Sequence, residues 1–318
     1  MRTKIVKYCL MTLGFLIIVG CSNAETPSNE RGDSAYQLPI LMDGSLQNPA
    51  WSPDGNAIVF TRFRNGYNQG PADLIVYDLE SETTKMLVSD GSDNVNLPGL
   101  TWNKATSQIV FSSSREPHDE IYIINMAADP VNEIKITDRL HQVAYEPSIS
   151  YDGQWIVFET HELDVEDHGI ITKYKLDGTE PYQLLTDPNN DCRQPNWSPD
   201  GAHVLYQNQK MGQWDIWIMF ADGTKTHPVT TGVGDKTDAS FSPNGEWIVY
   251  SAEGPTFEFA NLFFGLVDGV KKTQLTHYTG YDGAPSWSPN GDKIIFESSP
   301  GAPDSSLGTT IWIIDVPK

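Results

Sequence analysis

The amino-acid sequence predicts an all-β protein folded as one six-bladed β-propeller with four strands in each blade. Three observations support this prediction. A Trp-Ser-Pro-Asp-Gly motif recurs six times, intact or degraded, about every 47 residues along the 318-residue chain, and such a period is typical of propellers and other repeat arrays. Each repeat offers short segments of β-branched and aromatic residues. The sixth repeat lacks its last segment, whereas a copy of that segment precedes the first repeat.

The repeated motif predicts a tight turn after a short apolar strand. Pro presets φ for the turn, Asp can accept a hydrogen bond from its own backbone, and Gly adopts the left-handed conformation. The copies are Trp51–Gly55, Trp197–Gly201, Phe241–Gly245 and Trp287–Gly291, with weaker forms at Ile149–Gly153 and Trp102–Ser107. Each copy therefore marks the junction between the first and second strands of a blade.

The next segments of each repeat predict the remaining strands. Second strands are expected at Ala57–Phe60, Gln108–Phe111, Trp155–Phe158, His203–Tyr206, Trp247–Tyr250 and Lys293–Phe296. Third strands are expected at Leu74–Tyr77, Ile121–Ile124, Ile216–Met219 and Ile311–Ile314, and fourth strands at Gln183–Thr186 and Gln274–Thr276.

The two ends of the repeat array predict how the ring closes. The sixth repeat stops at Lys318 without a fourth strand, and Tyr36–Gly44 resembles the fourth strand that begins at Tyr182. An N-terminal strand that completes blade six would cover an otherwise open sheet edge. We therefore expect residues 35–318 to form a single propeller domain.

The N-terminal residues predict export and lipid attachment. Arg2, Lys4 and Lys7 precede an apolar run of signal-peptide length. The run ends in Ile18-Val-Gly-Cys21, which resembles the lipobox of bacterial lipoproteins. We expect residues 1–20 to be a signal peptide, Cys21 to carry the lipid, and the polar residues 21–34 to be a flexible tether. Ser22 resembles the residue that follows the lipidated Cys in outer-membrane lipoproteins, which implies a periplasm-facing domain in a Gram-negative bacterium.

The composition excludes some classes of partner. The formal net charge is −21 at pH 7, whereas nucleic-acid binding requires a basic surface. We therefore expect no nucleic-acid partner, and attachment to the outer membrane only through the lipid anchor.

The element Trp-Ser-Pro-Asp-Gly-x-x-Ile-x-Phe, in the copies named above, resembles the repeat of the TolB-type propellers over residues 48–316. This resemblance implies a propeller fold. It also implies several functions, since members include periplasmic binding propellers, peptidase propeller domains and seven-bladed oligogalacturonate lyases. The lyases hold a metal with histidines on the face that carries the long loops.

The direction of the strands predicts which face binds. The Ser-Pro-Asp-Gly and Asp-Gly turns must all lie at one end of the blades, the bottom face, and the longer, more variable loops at the other end, the top face. Variable loops on a regular scaffold are usual binding sites. The candidate ligand-binding residues there are Arg115, His118, Glu146, His161, Arg193, Gln194, Lys236, Asp238, Tyr281 and Asp282. We expect a protein or carbohydrate ligand at this face.

The same loops permit an alternative, a metal-assisted lyase or hydrolase that acts on acidic polysaccharide. His141 or Tyr145 could act as base and Arg193 could hold a carboxylate. His118, His141, His161 and His168 are candidate ligands for a divalent metal, the cofactor that only this alternative requires. A metal site would require at least two histidine nitrogens to meet in the top depression, whereas a binding face allows them to be scattered, which is the arrangement we expect.

Overall fold

A computed structural model describes residues 31–89, 95–96, 102–103, 105–128, 132–138, 141–163, 168–187, 189–210, 212–255, 257–304 and 306–317. The expected signal peptide, Cys21 and most of the expected tether lie outside these residues. Within the described part of the chain, no helix is long and apolar enough to cross a membrane.

The strands form six sheets of four antiparallel strands, which confirms the predicted fold class. The first strand, β1 (Tyr36–Gln37), belongs to the last blade. Blade one contains β2 (Ser45–Trp51), β3 (Ala57–Phe63), β4 (Ala72–Asp78) and β5 (Thr83–Val88). Blade two contains β6 (Val95–Asn96), β7 (Gln108–Ser113), β8 (Glu120–Asn125) and β9 (Glu133–Lys135). Blade three contains β10 (Gln142–Ile149), β11 (Trp155–Glu162), β12 (Ile170–Lys175) and β13 (Gln183–Leu184).

The other three blades repeat this order from the inner to the outer strand. Blade four contains β14 (Cys192–Trp197), β15 (His203–Lys210), β16 (Gln213–Phe220) and β17 (His227–Pro228). Blade five contains β18 (Lys236–Phe241), β19 (Trp247–Gly254), β20 (Phe257–Leu266) and β21 (Lys272–Gln274). Blade six contains β22 (Tyr281–Trp287), β23 (Lys293–Ser299) and β24 (Thr310–Asp315), and β1 is its outer strand.

The N-terminal strand closes the ring as predicted. Tyr36 pairs with Ile313 and Gln37 with Trp312 in antiparallel register. The backbone N–H of Leu38 then donates to the carbonyl of Ile311 at 2.9 Å. The outer edge of β24 is therefore paired by a segment from the opposite end of the described chain.

The repeated motif forms the predicted turn between the first and second strands. In blade one, Ser52 Oγ donates to Asp54 Oδ1 at 2.6 Å and accepts the N–H of Ala57 at 2.9 Å. Gly55 has φ of 77°, a conformation that costs glycine little. Ser and an Asp or Asn make the same bonds in blades three to six. These identical turns define the bottom face, and the longer connections lie at the top.

The hydrophobic core lies between blades rather than within one sheet. Each of its six clusters joins residues of two neighbouring blades. Phe60, Phe111, Phe158 and Phe296 occupy one position of the repeat and are fully buried. Loss of such a ring costs about 3–5 kcal/mol, so inter-blade packing holds the inner strands in place around the axis.

Candidate functional site

The inner strands of blades one and three to six are each interrupted by an irregularity in pairing near the propeller axis. In β2, Asn48 and Pro49 face the single residue Phe60 of β3, because the pairing shifts between Gln47 and Ala50. Such a two-against-one arrangement is a β-bulge, which redirects a side chain. Equivalent shifts occur in β10, β14, β18 and β22.

The first bulge residue of each of these strands has a positive φ. We call this set the axial ring: Asn48, Glu146, Gln194, Asp238 and Ala284, with φ between 46° and 56°. Positive φ in residues other than glycine is uncommon, and such conformations concentrate at functional sites. The equivalent segment of blade two lies outside the described residues. The fold therefore places one unusual backbone conformation from each of these five inner strands beside the axis.

Three predicted ligand-binding residues meet in the axial ring. Gln194 Nε2 donates to Glu146 Oε1 at 3.1 Å, and Gln194 Oε1 accepts the N–H of Asp238 at 3.3 Å. Gln207, on the second strand of blade four, also donates to Gln194 Oε1. Gln194 thus links blades three, four and five, and its amide is oriented with its nitrogen towards the carboxyl of Glu146.

A second carboxyl group lies beside Glu146. Glu159 of β11 is 4% exposed, and burial together with the neighbouring Glu146 raises the pKa of Glu159 well above its usual range. Burial likewise raises the pKa of Glu146, with a smaller upward contribution from Asp238. Two adjacent carboxyl groups with little water around them cannot both ionise cheaply. At least one of them therefore holds a proton near neutral pH.

The other side of the axis contains a third buried carboxyl group. Glu297 of β23 accepts the backbone N–H of Asn48 at 2.9 Å and the hydroxyls of Tyr67 and Tyr281 at 3.2 Å. Burial raises the pKa of Glu297 to about 7, and nearby Asp238 acts in the same direction. Tyr281, a predicted ligand-binding residue, is thus one of the groups that hold Glu297 rather than an open contact.

The predicted cationic residues are already neutralised. Arg193 forms a bidentate pair with Asp191 (3.0 and 2.9 Å) and lies 3.8 Å from Glu159. Arg115 pairs with Glu133 at 2.6 Å. A third, Lys236, lies 3.2 Å from Asp215 and donates to the carbonyl of Gly232. These bonds reduce the positive charge that the top face can offer to an anionic ligand.

The four candidate metal-binding histidines lie in separate environments. Nε2 of His118 is 3.3 Å from Glu120, and Nδ1 of His161 is 3.0 Å from the carbonyl of Glu162. His141 and His168 are exposed. In the described part of the chain, no three His, Cys, Asp or Glu residues are grouped so that they could hold a metal ion.

The candidate base Tyr145 has a partner of its own. Its hydroxyl bonds to Asp119, and its ring lies 5.5 Å from that of His161. Burial and the charge of Asp119 raise the pKa of Tyr145. Burial also raises the pKa of Asp119 to about 6. A tyrosine in this environment is a poorer base than a free one, because its phenolate is disfavoured.

Asp282 is bound by a residue from the segment expected to be a tether. Arg31 forms an ion pair with Asp282 and donates to Ser298 Oγ at 2.9 Å. The guanidinium lies over the rings of Tyr278 and Trp312, at 4.2 and 4.7 Å from their centroids. Arg31 is 5% exposed and Asp282 is fully buried. Asp282 therefore serves to fix the chain that leads into β1.

Sequence reasoning did not identify Glu159, Glu297, Tyr67 or Arg31. The two glutamates follow the buried aromatic residue of the second strand, where the other blades have Thr61, Ser112, Gln207 and Ser251. Comparison of this one position across the repeats could have found them. A carboxylate in place of a small or neutral residue is unusual in a strand that is otherwise buried.

The fold and the axial ring together define a class of protein, a closed six-bladed propeller with a polar, acid-rich site on its axis. The family model "TolB beta propeller domain" (PD40) matches residues 40–208. The chain therefore belongs to the TolB β-propeller family, which confirms the resemblance found in its repeats.

Known proteins are similar to parts or all of this domain. A Tol-Pal system protein TolB of Francisella tularensis subsp. tularensis is 26% identical over 213 residues, 65% of this chain and 46% of that protein. The chain thus spans about half the length of the curated relatives that it matches first. The structure of a putative TolB from Agrobacterium tumefaciens has a TM-score of 0.64 at 16% identity and covers 89% of this chain and 97% of its own. An oligogalacturonate lyase from Vibrio parahaemolyticus has a TM-score of 0.57 at 14% identity, with 89% and 94% covered. Likeness at these identities shows the fold alone.

Proposed function

We propose that this protein is a lipid-anchored, periplasm-facing propeller that binds a protein partner through its top face without catalysis. One observation carries the proposal. The axial ring gathers hydrogen-bond acceptors from several blades, and beside it Asn196 Oδ1 is buried without a partner. Buried acceptors of this kind are costly unless a ligand supplies donors. Several curated relatives are Tol-Pal system proteins, which supports a protein as the ligand.

The binding proposal is tested by site-specific photo-crosslinking in cells. A benzoylphenylalanine is placed at His141, an exposed top-face position before β10, and in a matched protein at Glu246, an exposed position in a bottom turn. We expect the His141 position to yield a discrete cross-linked protein and the Glu246 position to yield none. Equal products from both faces, or none from the top, would contradict top-face binding.

The anchor is tested independently. Cys21→Ala is expected to move the protein from the membrane fraction to the soluble fraction, while the domain keeps its melting temperature. Stable anchoring requires more than one acyl chain, so mass spectrometry should find several chains on Cys21. An unmodified mature N-terminus would refute the anchor and leave the binding proposal intact.

A second candidate function, a polysaccharide lyase or hydrolase, is favoured by one feature. Glu297 has a pKa of about 7, within the range useful to a general acid or base. Against this function, Tyr145 and Arg193 are held by Asp119 and Asp191. The direct test is release of unsaturated product from polygalacturonate with and without Mn²⁺. If the native protein turns over polygalacturonate and the Glu297→Gln variant does not, this alternative is established. If the native protein shows no turnover, the binding function stands.

A further inference from the structure

A small cavity lies at the centre of the axial ring. It measures about 30 Å³ and is lined by four members of the ring, Asn48, Gln194, Asp238 and Ala284, together with Asn196, Ser240 and the adjoining proline and alanine residues. A water-sized group requires about 10–15 Å³ on this measure. The cavity thus admits the tip of one side chain but not a sugar ring.

Two residues that line the cavity, Asn196 and Asp238, offer it hydrogen-bond acceptors. Asn196 is 4% exposed, and its Oδ1 has no hydrogen-bond partner. Glu146 lies on the other side of Gln194, where its carboxyl accepts the Gln194 amide and adjoins the carboxyl of Glu159. Asp238 adds a carboxylate to the lining, and Thr237 Oγ1 donates to one of its oxygens at 2.9 Å. These acceptors require a ligand group that carries several hydrogen-bond donors.

The charge around the cavity favours a cation. Among the described residues, no ion pair joins Glu146, Asp238 or Glu297 to a lysine or arginine. The nearest guanidinium, that of Arg193, is shared between Asp191 and Glu159. The buried acceptor Asn196 adds an observation independent of the acidic residues, because an unpaired amide oxygen requires a donor whatever the net charge.

We propose that the axial cavity binds a primary ammonium group, which a lysine side chain of the protein partner inserts along the propeller axis. This inference rests on the proposed function and names the chemistry of the partner. An ammonium has three donors and no acceptor, which suits the two acceptors that line the cavity, Asn196 Oδ1 and the Asp238 carboxylate. Its size also suits the cavity better than that of a planar guanidinium.

The proposal has a consequence for pH. The groups that face Glu146 from other described elements are Glu159 on β11, Arg193 on β14 and Asp238 on β18. The cation favours the ionised form of Glu146 and Glu159, so its binding releases the proton that they hold. Affinity should therefore rise as pH increases from about 5.5 to 8.

The test uses the purified full chain and Nα-acetyl-lysine N-methylamide as the probe. Binding is followed by the side-chain amide NMR signal of Asn196, assigned with Asn196→Ser. We expect a saturable shift with this probe, and none with the norleucine analogue, which keeps the four-carbon side chain without the ammonium group. Asp238→Asn should weaken binding by about tenfold or more, since the charge that strengthens the hydrogen bond to the ammonium is lost. Glu246→Gln, at an exposed bottom turn, is the matched control and should leave affinity unchanged.

Several results would overturn the inference. The same shift with the norleucine analogue would show apolar binding, and a shift with glycinamide alone would indicate a chain N-terminus rather than a lysine. A shift with CaCl₂ but not with the lysine probe would assign the cavity to a metal ion. If a folded Asp238→Asn variant bound the probe with full affinity, the proposed contact between the ammonium and Asp238 would be refuted. If His141 still cross-links a partner while the lysine probe does not bind, the proposed function stands and this inference fails.

Discussion

Closure of the ring by the N-terminal strand can be tested with two neighbouring leucines. Leu38 is 7% exposed and packs with Ile311 and Ile313 between blades six and one, whereas Leu41 is 98% exposed. The substitution Leu38→Ala removes a well-packed side chain next to the short strand that completes blade six. Leu41→Ala removes the same atoms from a surface position.

The expected magnitude follows from the burial of Leu38. A buried Leu→Ala change costs about 2–5 kcal/mol, and a value of about 3 kcal/mol suits a side chain that keeps slight exposure. At roughly 2 °C per kcal/mol for a domain of this size, the melting temperature should fall by about 6 °C. Leu41→Ala should change the free energy of unfolding by less than about 0.5 kcal/mol. Thermal and urea unfolding, followed by circular dichroism, measure both variants.

The outcome that refutes this reasoning is equal stability of the two variants, since it would show that the N-terminal segment does not hold blade six. Deletion of residues 36–41 provides a stronger version of the test. The deletion exposes the edge of β24, and open edges promote association between chains. We expect the truncated protein to aggregate on size-exclusion chromatography, and a monomer with unchanged stability would contradict the closure.

Two further predictions concern buried charges. The folded pKa of Glu297, about 7, lies above the reference value of 4.5. The proton on Glu297 therefore stabilises the fold fully below pH 4.5. This stabilisation, about 3 kcal/mol, is lost as the pH rises through 7. Glu297→Gln should therefore reduce the fall in unfolding free energy between pH 5 and 8, whereas the control Glu246→Gln should reproduce the native pH profile. If the Glu297→Gln variant and the native protein had identical pH profiles, Glu297 would not be buried as described. Arg31→Met should destabilise the domain by about 3–5 kcal/mol, because it leaves Asp282 buried and unpaired. The double variant Arg31→Met/Asp282→Asn should recover much of that loss in urea unfolding, and additive losses would show that the pair does not interact.

The fold could be predicted from sequence because its determinants are local and repeated. Ser52, Asp54 and Gly55 form their turn with one another, so a five-residue motif is sufficient to locate it. The closing strand was predictable for a similar reason, since Tyr36 begins a recognisable copy of a segment that the last repeat lacks. Repetition supplied what a single copy could not, the period and the number of blades.

The site was predictable only in part. The repeat pattern places Glu146, Gln194 and Asp238 on the top face. The hydrogen bonds that link them across three blades depend on β-bulges, and the sequence does not predict the backbone conformation of those bulges. Glu297 was missed because it lies inside a strand that alternation assigns to the core. Arg31 was missed because the polar residues around it indicated a tether, whereas its burial depends on Asp282, which lies 251 residues away.

The distribution of paired charges decides which kind of partner the top face can accept. Arg115, Arg193 and Lys236 could have attracted a uronate polymer, but each is bound to a carboxylate: Glu133 of the same blade, Asp191 just before β14, and Asp215 of the neighbouring blade. An anionic ligand would have to break these pairs. It would then meet the carboxyls of Glu146 and Asp238, which form no ion pair with a lysine or arginine among the described residues. A cationic side chain meets acceptors without displacing anything. Salt should screen the long-range attraction that the net charge of −21 exerts on a cationic partner. It should screen the contact at the axis less, because the axial groups are sheltered from solvent. Ionic strength should therefore slow association more than it speeds dissociation, which is the kinetic pattern of a charged site at the centre of an acidic surface.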